Sequence, residues 1–138
     1  MVKKRSDCPL SFSLDIFGDK WSLLIIRDII MMGKFSFIDF SRSAEKIATN
    51  ILTSRLELLE NEGIICKQVS PKNKSKYIYS LTKKGIDLQP VLIEMMKWGT
   101  KYNPETPKPP KDIIKQFEAD NKSLLKKYRD NQKHILSK

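Results

Sequence analysis

Apolar residues recur at helical spacing in several stretches of the chain and cluster as short β-type runs in one. Leu10 to Phe17 forms a short first helix candidate, broken by Gly18-Asp19. Trp21, Leu24, Ile25, Ile29 and Met32 then fall at helical spacing and predict a second helix. Asp19 is placed to cap it by accepting from the free amides of its first turn, and Gly33 to end it. Phe37, Ile38 and Phe40 suit a short third helix, followed by the polar turn Ser41-Arg42-Ser43-Ala44-Glu45-Lys46. From Thr49 to Asn61 the pattern is again helical: Leu52, Leu56 and Leu59 make one stripe, and Asn50, Thr53, Ser54 and Glu57 lie opposite. The outward face of its first two turns is therefore small and polar. Gly63 stands in the capping position after it.

Two runs rich in β-formers come next, Ile64 to Val69 and Tyr77 to Leu81, on either side of Ser70-Pro71-Lys72-Asn73-Lys74-Ser75-Lys76. They predict a hairpin with a lysine-studded tip. Thr82 is suited to cap a further helix, with Leu88, Leu92, Met95, Gly99 and Tyr102 on one stripe and Pro90 expected to kink or divide it. Pro104, Pro107, Pro109 and Pro110 make residues 104–110 a stiff linker. Ile114, Phe117, Asn121, Leu124, Tyr128, Asn131 and Ile135 then alternate spacings of three and four in a basic helical extension, residues 111–138. Such a seam fits a coiled coil, or equally a helix packed on its own domain or on a partner subunit.

At 138 residues the chain is expected to hold one main domain, over 8–103. Lys and Arg total 26 against 16 Asp and Glu, a formal charge of +10. The excess is concentrated in residues 66–90 and 108–138, and Lys67 to Lys84 holds six lysines and no acid. An acid-free run in a chain with 16 acids points to a polyanion partner. No apolar run is long enough to span a bilayer, and no stretch of signal-peptide length follows the basic residues Lys3, Lys4 and Arg5. A cytoplasmic location and no membrane partner are expected. Cys8 and Cys66 are too few for a disulfide framework. With one histidine, His134, they cannot complete a four-ligand zinc site without carboxylates, and no metal or cofactor is expected.

The order helix, helix, short helix, polar-faced helix, basic hairpin, helix is that of the winged helix-turn-helix, an α+β, mainly α fold with a two-stranded wing. A helix fits the major groove, and its first turns reach base edges. Thr49, Asn50, Thr53 and Ser54 are the candidate reading residues, since Asn can bond bidentately to adenine and Thr offers a hydroxyl and a methyl. For Thr49 and Asn50 helix capping is the rival role. Lys72, Lys74 and Lys76 are candidates for phosphate contact from the wing. Arg42 and Arg55 either contact phosphates or pair with nearby acids. Cys66 opens a strand and is expected in the core.

The ordered motifs also resemble the HxlR family of bacterial winged-helix transcriptional regulators. The match runs from Cys8-Pro9 through Gly18-Asp19-Lys20-Trp21, Arg27-Asp28, Phe37-Ile38-Asp39-Phe40 and Ile47-Ala48-Thr49-Asn50-Ile51-Leu52. It continues through Gly63-Ile64-Ile65 and Tyr79-Ser80-Leu81-Thr82 to Trp98-Gly99. Asp19 stands where the family usually has a second glycine, Lys46 where a glycine is common, and Ile78 where the wing often has a polar or acidic residue. The resemblance implies a homodimer on a pseudo-palindromic double-stranded DNA operator, joined through the first and last helices. Leu88, Leu92, Met95, Trp98 and Tyr102 are then the expected dimer surface. Some family members sense oxidants or electrophiles through the cysteine matching Cys8. That chemistry needs an accessible thiolate, which Lys3, Lys4 and Arg5 favour and Asp7 opposes. The alternative is a small buried cysteine at the dimer contact.

Other function classes fit less well. No Gly-rich phosphate loop, nucleophile elbow or carboxylate pair supports an enzyme. RNA binding lacks a recognisable stacking motif, since Tyr77 and Tyr79 read as wing strand residues. A winged-helix protein-interaction module without specific DNA binding is the remaining alternative.

Overall fold

The computed structural model describes residues 2–105, together with Lys115, Lys126 and Asp130. The elements run in the expected order. Helices α1 (Pro9–Phe17), α2 (Ser22–Met31), α3 (Phe37–Ser41) and α4 (Thr49–Asn61) precede strands β1 (Ile65–Val69) and β2 (Tyr77–Leu81). Helices α5 (Lys83–Ile86) and α6 (Gln89–Tyr102) follow. Most of the proline linker and of the basic extension lies outside the described residues. No helix among the described residues is long and apolar enough to cross a membrane.

Local chemistry explains the boundaries. Pro9 opens α1, where its missing N–H costs nothing. Asp19 does cap α2, from just outside it: its Oδ1 accepts from the amides of Trp21 and Ser22, both at 2.8 Å, and its Oδ2 accepts from the Ser22 hydroxyl at 2.6 Å. Ser36 caps α3 by accepting from the Asp39 amide at 3.3 Å. Gly63 has φ +71 after the end of α4, a conformation that lets the chain reverse directly into β1. Pro90 divides the last helical segment rather than kinking it. It sits in the first turn of α6, and Asp87 and Leu88 separate α5 from α6.

The core is built from α2, α4, the bases of the strands and the start of α6. Ile26, Leu52 and Leu59 have no exposed surface, and Ile25, Ile29, Phe40, Leu56, Ile64 and Ile65 pack with them. β1 and β2 are antiparallel, with Ile65 opposite Leu81 and Val69 opposite Tyr77. The Tyr79 amide donates to the Phe35 carbonyl at 2.8 Å, tying the outer edge of β2 to the segment before α3. Gly85 lets α5 close on the start of the wing: a Cβ there would sit 2.3 Å from the Ile64 carbonyl oxygen. Cys66 departs from its expected place in the core. Only the first residue of β1, Ile65, is buried, and Cys66 is exposed, with its sulfur 3.1 Å from the Ser80 hydroxyl.

Candidate nucleic-acid interface

The stripe of α4 divides as the helical wheel requires. Leu52, Leu56 and Leu59 are buried, and Thr49, Asn50, Thr53 and Ser54 are exposed. The capping alternative for Thr49 and Asn50 is not realised. Ala48 is the cap residue and supplies no side-chain hydrogen bond, so the amides of the first turn face outward uncapped. Thr53 donates its hydroxyl proton to the Thr49 carbonyl at 2.9 Å, which leaves its methyl and its oxygen lone pairs free.

Arg55 resolves to the ion-pair role. Its Nη1 lies 3.3 Å from Asp19 Oδ2, so one carboxylate caps α2 and holds α4. Burial pushes the Asp19 carboxyl up, but the bonds from Ser22 and Trp21 and the nearby Arg55 charge outweigh it and hold Asp19 below the usual range. Arg42, by contrast, is exposed and makes no ion pair with a described residue.

A polar network fixes the turn between α3 and α4. Asp28 is buried; its Oδ1 accepts from Arg27 at 2.7 Å, and its Oδ2 accepts from the Ser43 hydroxyl. Lys34 Nζ donates to Ser43 Oγ at 3.0 Å. Arg27 reaches on to Glu45, making bidentate bonds of 2.9 and 2.8 Å. Those bonds, stronger than the opposing effect of burial, hold the Glu45 carboxyl at about 2, and they raise Arg27 further above its already high value. The polar turn is thereby tied to α2 at two points. Nothing in the hydrophobic pattern foretells this network; the pair Arg27-Asp28 on a largely apolar helix is its one visible sign.

The wing presents its lysines differently. Lys72, Lys74 and Lys76 are all exposed in the loop, which closes through Ser70 N–H to the Lys76 carbonyl at 2.8 Å. Asn73 Oδ1 organises the tip by accepting from the Ser75 amide at 3.1 Å and hydroxyl at 2.6 Å. Lys76 Nζ lies 6.0 Å from the centre of the Phe35 ring. The acid-free run is not uniformly available, however. Lys67 sits 4.7 Å over Tyr77 and 3.9 Å from Glu60, and Lys84 donates to the Glu62 carbonyl at 2.6 Å. A cavity of about 140 Å³ between α4 and the wing is lined by Glu57 and Glu60 among others. These acids disfavour phosphate at the far end of α4 and leave its first two turns as the cation-flanked part.

The expected dimer surface splits along α6. Leu88 and Leu92 belong to the core of the single chain: Leu92 is buried, and Leu88 packs against the buried cluster. Met95, Trp98 and Tyr102 are exposed, Trp98 at 68%, with the Trp98 and Tyr102 rings 5.2 Å apart. Exposed apolar side chains also stand on α1, Leu10 and Leu14 on one side of the helix and Phe12 on the other. Sequence periodicity joined Leu92 and Met95 in one stripe because it does not register where the domain beneath the helix stops.

Cys8 is exposed at the N-cap of α1 and is a free thiol. Two of the cations expected to act on it are engaged elsewhere. Lys4 lies 2.7 Å from Asp7, and Arg5 pairs with Asp15.

An outward polar helix, a clamped turn before it and a cationic two-stranded loop beside it define a winged helix-turn-helix domain. The chain belongs to the family described as HxlR-like helix-turn-helix, whose model matches residues 16–107. Its relatives are transcriptional regulators. YdeP of Bacillus subtilis, named as an uncharacterised HTH-type transcriptional regulator, is 37% identical over 116 residues, covering 84% of each chain. Among solved structures, the redox regulator HypR in its oxidised form is 34% identical with a TM-score of 0.62, covering 70% of this chain and 98% of that one. Quinone-bound YodB of B. subtilis is 32% identical with a TM-score of 0.56, covering 69% and 99%.

Proposed function

We propose that this regulator acts as a homodimer on a pseudo-palindromic DNA operator in the cytoplasm, by binding rather than by catalysis. Thr49, Asn50, Thr53 and Ser54 read base edges in the major groove. Lys72, Lys74, Lys76 and Arg42 hold the flanking phosphates, and Arg55 instead braces α4 from behind. The observation that carries this reading is the exposed, uncapped polar face of α4 flanked by unpaired cations. The exposed apolar side chains of α1 and the exposed face of Met95, Trp98 and Tyr102 on α6 support a two-fold contact, which would set half-sites about one helical turn, roughly 10 bp, apart.

Selection of bound sequences from random duplexes tests this directly. A symmetric motif, with affinity falling steeply as salt rises, is the expected result. Binding of no duplex above background would leave the fold as a protein-interaction module instead.

Cys8 extends the reading to thiol chemistry. HypR and YodB are the supporting relatives, and the exposure of Cys8 at a helix start is the structural reason. Treatment with a quinone should add one adduct mass at Cys8 and change operator affinity. Cys8→Ser should abolish both responses, whereas Cys66→Ser should retain them. Unchanged affinity of the modified protein would remove this part of the proposal.

A further inference from the structure

Lys46 has φ +56, the one positive-φ residue other than glycine among the described residues. A side chain with a Cβ is disfavoured in that left-handed conformation, and glycine is the residue that adopts it freely. The turn enforces it nonetheless. The Lys46 amide donates to the Ser43 carbonyl at 3.0 Å, Ser43 is held by Asp28, and the neighbouring Glu45 is clamped by Arg27. The Lys46 side chain itself is exposed, and its ammonium makes no hydrogen bond or ion pair with a described residue.

Charge pairing sharpens the point. Residues 33–65 carry four cations, Lys34, Arg42, Lys46 and Arg55. Lys34 is bound to Ser43 near Asp28, and Arg55 is bound to Asp19. Arg42 and Lys46 remain, at the two ends of the turn that leads into the uncapped first turn of α4. Glu45, the acid between them in sequence, is taken by Arg27.

We infer that Lys46 is a DNA-backbone contact, a phosphate ligand that seats the amino end of α4 in the groove and is kept at a backbone position suited to glycine. This rests on the DNA-reading role proposed above and adds to it a residue in the turn itself. It also sets stability against binding. Glycine at this position relieves the backbone and removes the cation, so the two properties should move in opposite directions.

The test uses the full chain and a duplex recovered by selection. K46G should melt higher, by about 3 °C. It should bind about tenfold more weakly near 0.15 M salt, with the slope of log affinity against log salt shallower by about 2 for a dimer losing one phosphate contact per half-site. K46Q, which keeps the strained backbone but not the charge, should lose the same affinity without melting higher. K46R should keep wild-type affinity and slope. Wild-type affinity and slope in K46G and K46Q would overturn the inference, and so would a loss in K46R equal to that in K46Q. If the wild-type protein shows no salt-dependent binding to any duplex, the DNA-reading proposal falls and this one with it. If the wild type binds normally and only the Lys46 variants fail to respond, this one falls alone.

Discussion

The turn before α4 and the loop of the wing both present cations, but they are held in opposite ways. The turn is tied to α2 through Ser43–Asp28 and Glu45–Arg27 and is rigid enough to keep Lys46 at positive φ. The wing loop is closed mainly by its own backbone and by Asn73, with three exposed lysines around that closure. The difference matches two kinds of contact with a duplex. Reading a base edge needs a donor or acceptor held within tenths of an ångström, whereas a phosphate is met by a point charge on a long side chain. The clamped turn therefore suits fixing where the reading face of α4 meets the duplex, with its own cations as fixed phosphate ligands, and the open loop suits added affinity.

The largest expected effect breaks the clamp. Asp28→Ala strands Ser43 and removes one of the two acids of Arg27, and should cost about 2–4 kcal/mol in denaturant unfolding. It should also reduce preference for operator over unrelated DNA. Retained stability would mean that the network is not what holds the turn. Next in size is Asn50→Ala. It should lose about 1–3 kcal/mol of discrimination at one base pair per half-site, with binding to unrelated duplexes unchanged. The smallest effect concerns pH. Glu45 is held at about 2 against an ordinary 4.5, so its contribution to stability is full above about pH 5 and is lost as pH falls toward 2. The Glu45–Arg27 pair is partly exposed, so the loss should be about 1 kcal/mol. Glu45→Gln should remove that part of the acid sensitivity; an unaltered pH profile would show the pair to be idle.

Much of this was readable from residue order. The spacing of Leu52, Leu56 and Leu59 marks both the buried stripe and, by subtraction, the outward face, because a helix has one period. The hairpin is legible from its β-formers and turn residues. Side-chain pairing across elements was not. Arg55 reads equally well as a phosphate ligand until Asp19, 36 positions away, is seen to meet it. Lys67 and Lys84 belong to an acid-free run in sequence, yet fold against Glu60 of α4 and the carbonyl of Glu62 just after it. Burial at an edge was equally hidden. Cys66 points outward, while Gln89, a polar first-turn residue, is fully buried with both amide atoms unpartnered among the described residues. The dimer stripe was legible as a stripe, but only the packed domain shows where it stops being core.

The most direct test of the division between reading helix and wing compares Asn50→Ala with a Lys72→Ala, Lys74→Ala double variant. Affinity would be measured against salt concentration on the selected operator and on an unrelated duplex. The expected result is a split. Asn50→Ala loses operator affinity alone at an unchanged salt slope; the lysine variant weakens both duplexes and flattens the slope. Equal losses on both duplexes from Asn50→Ala, or an operator-only loss from the lysine pair, would contradict it.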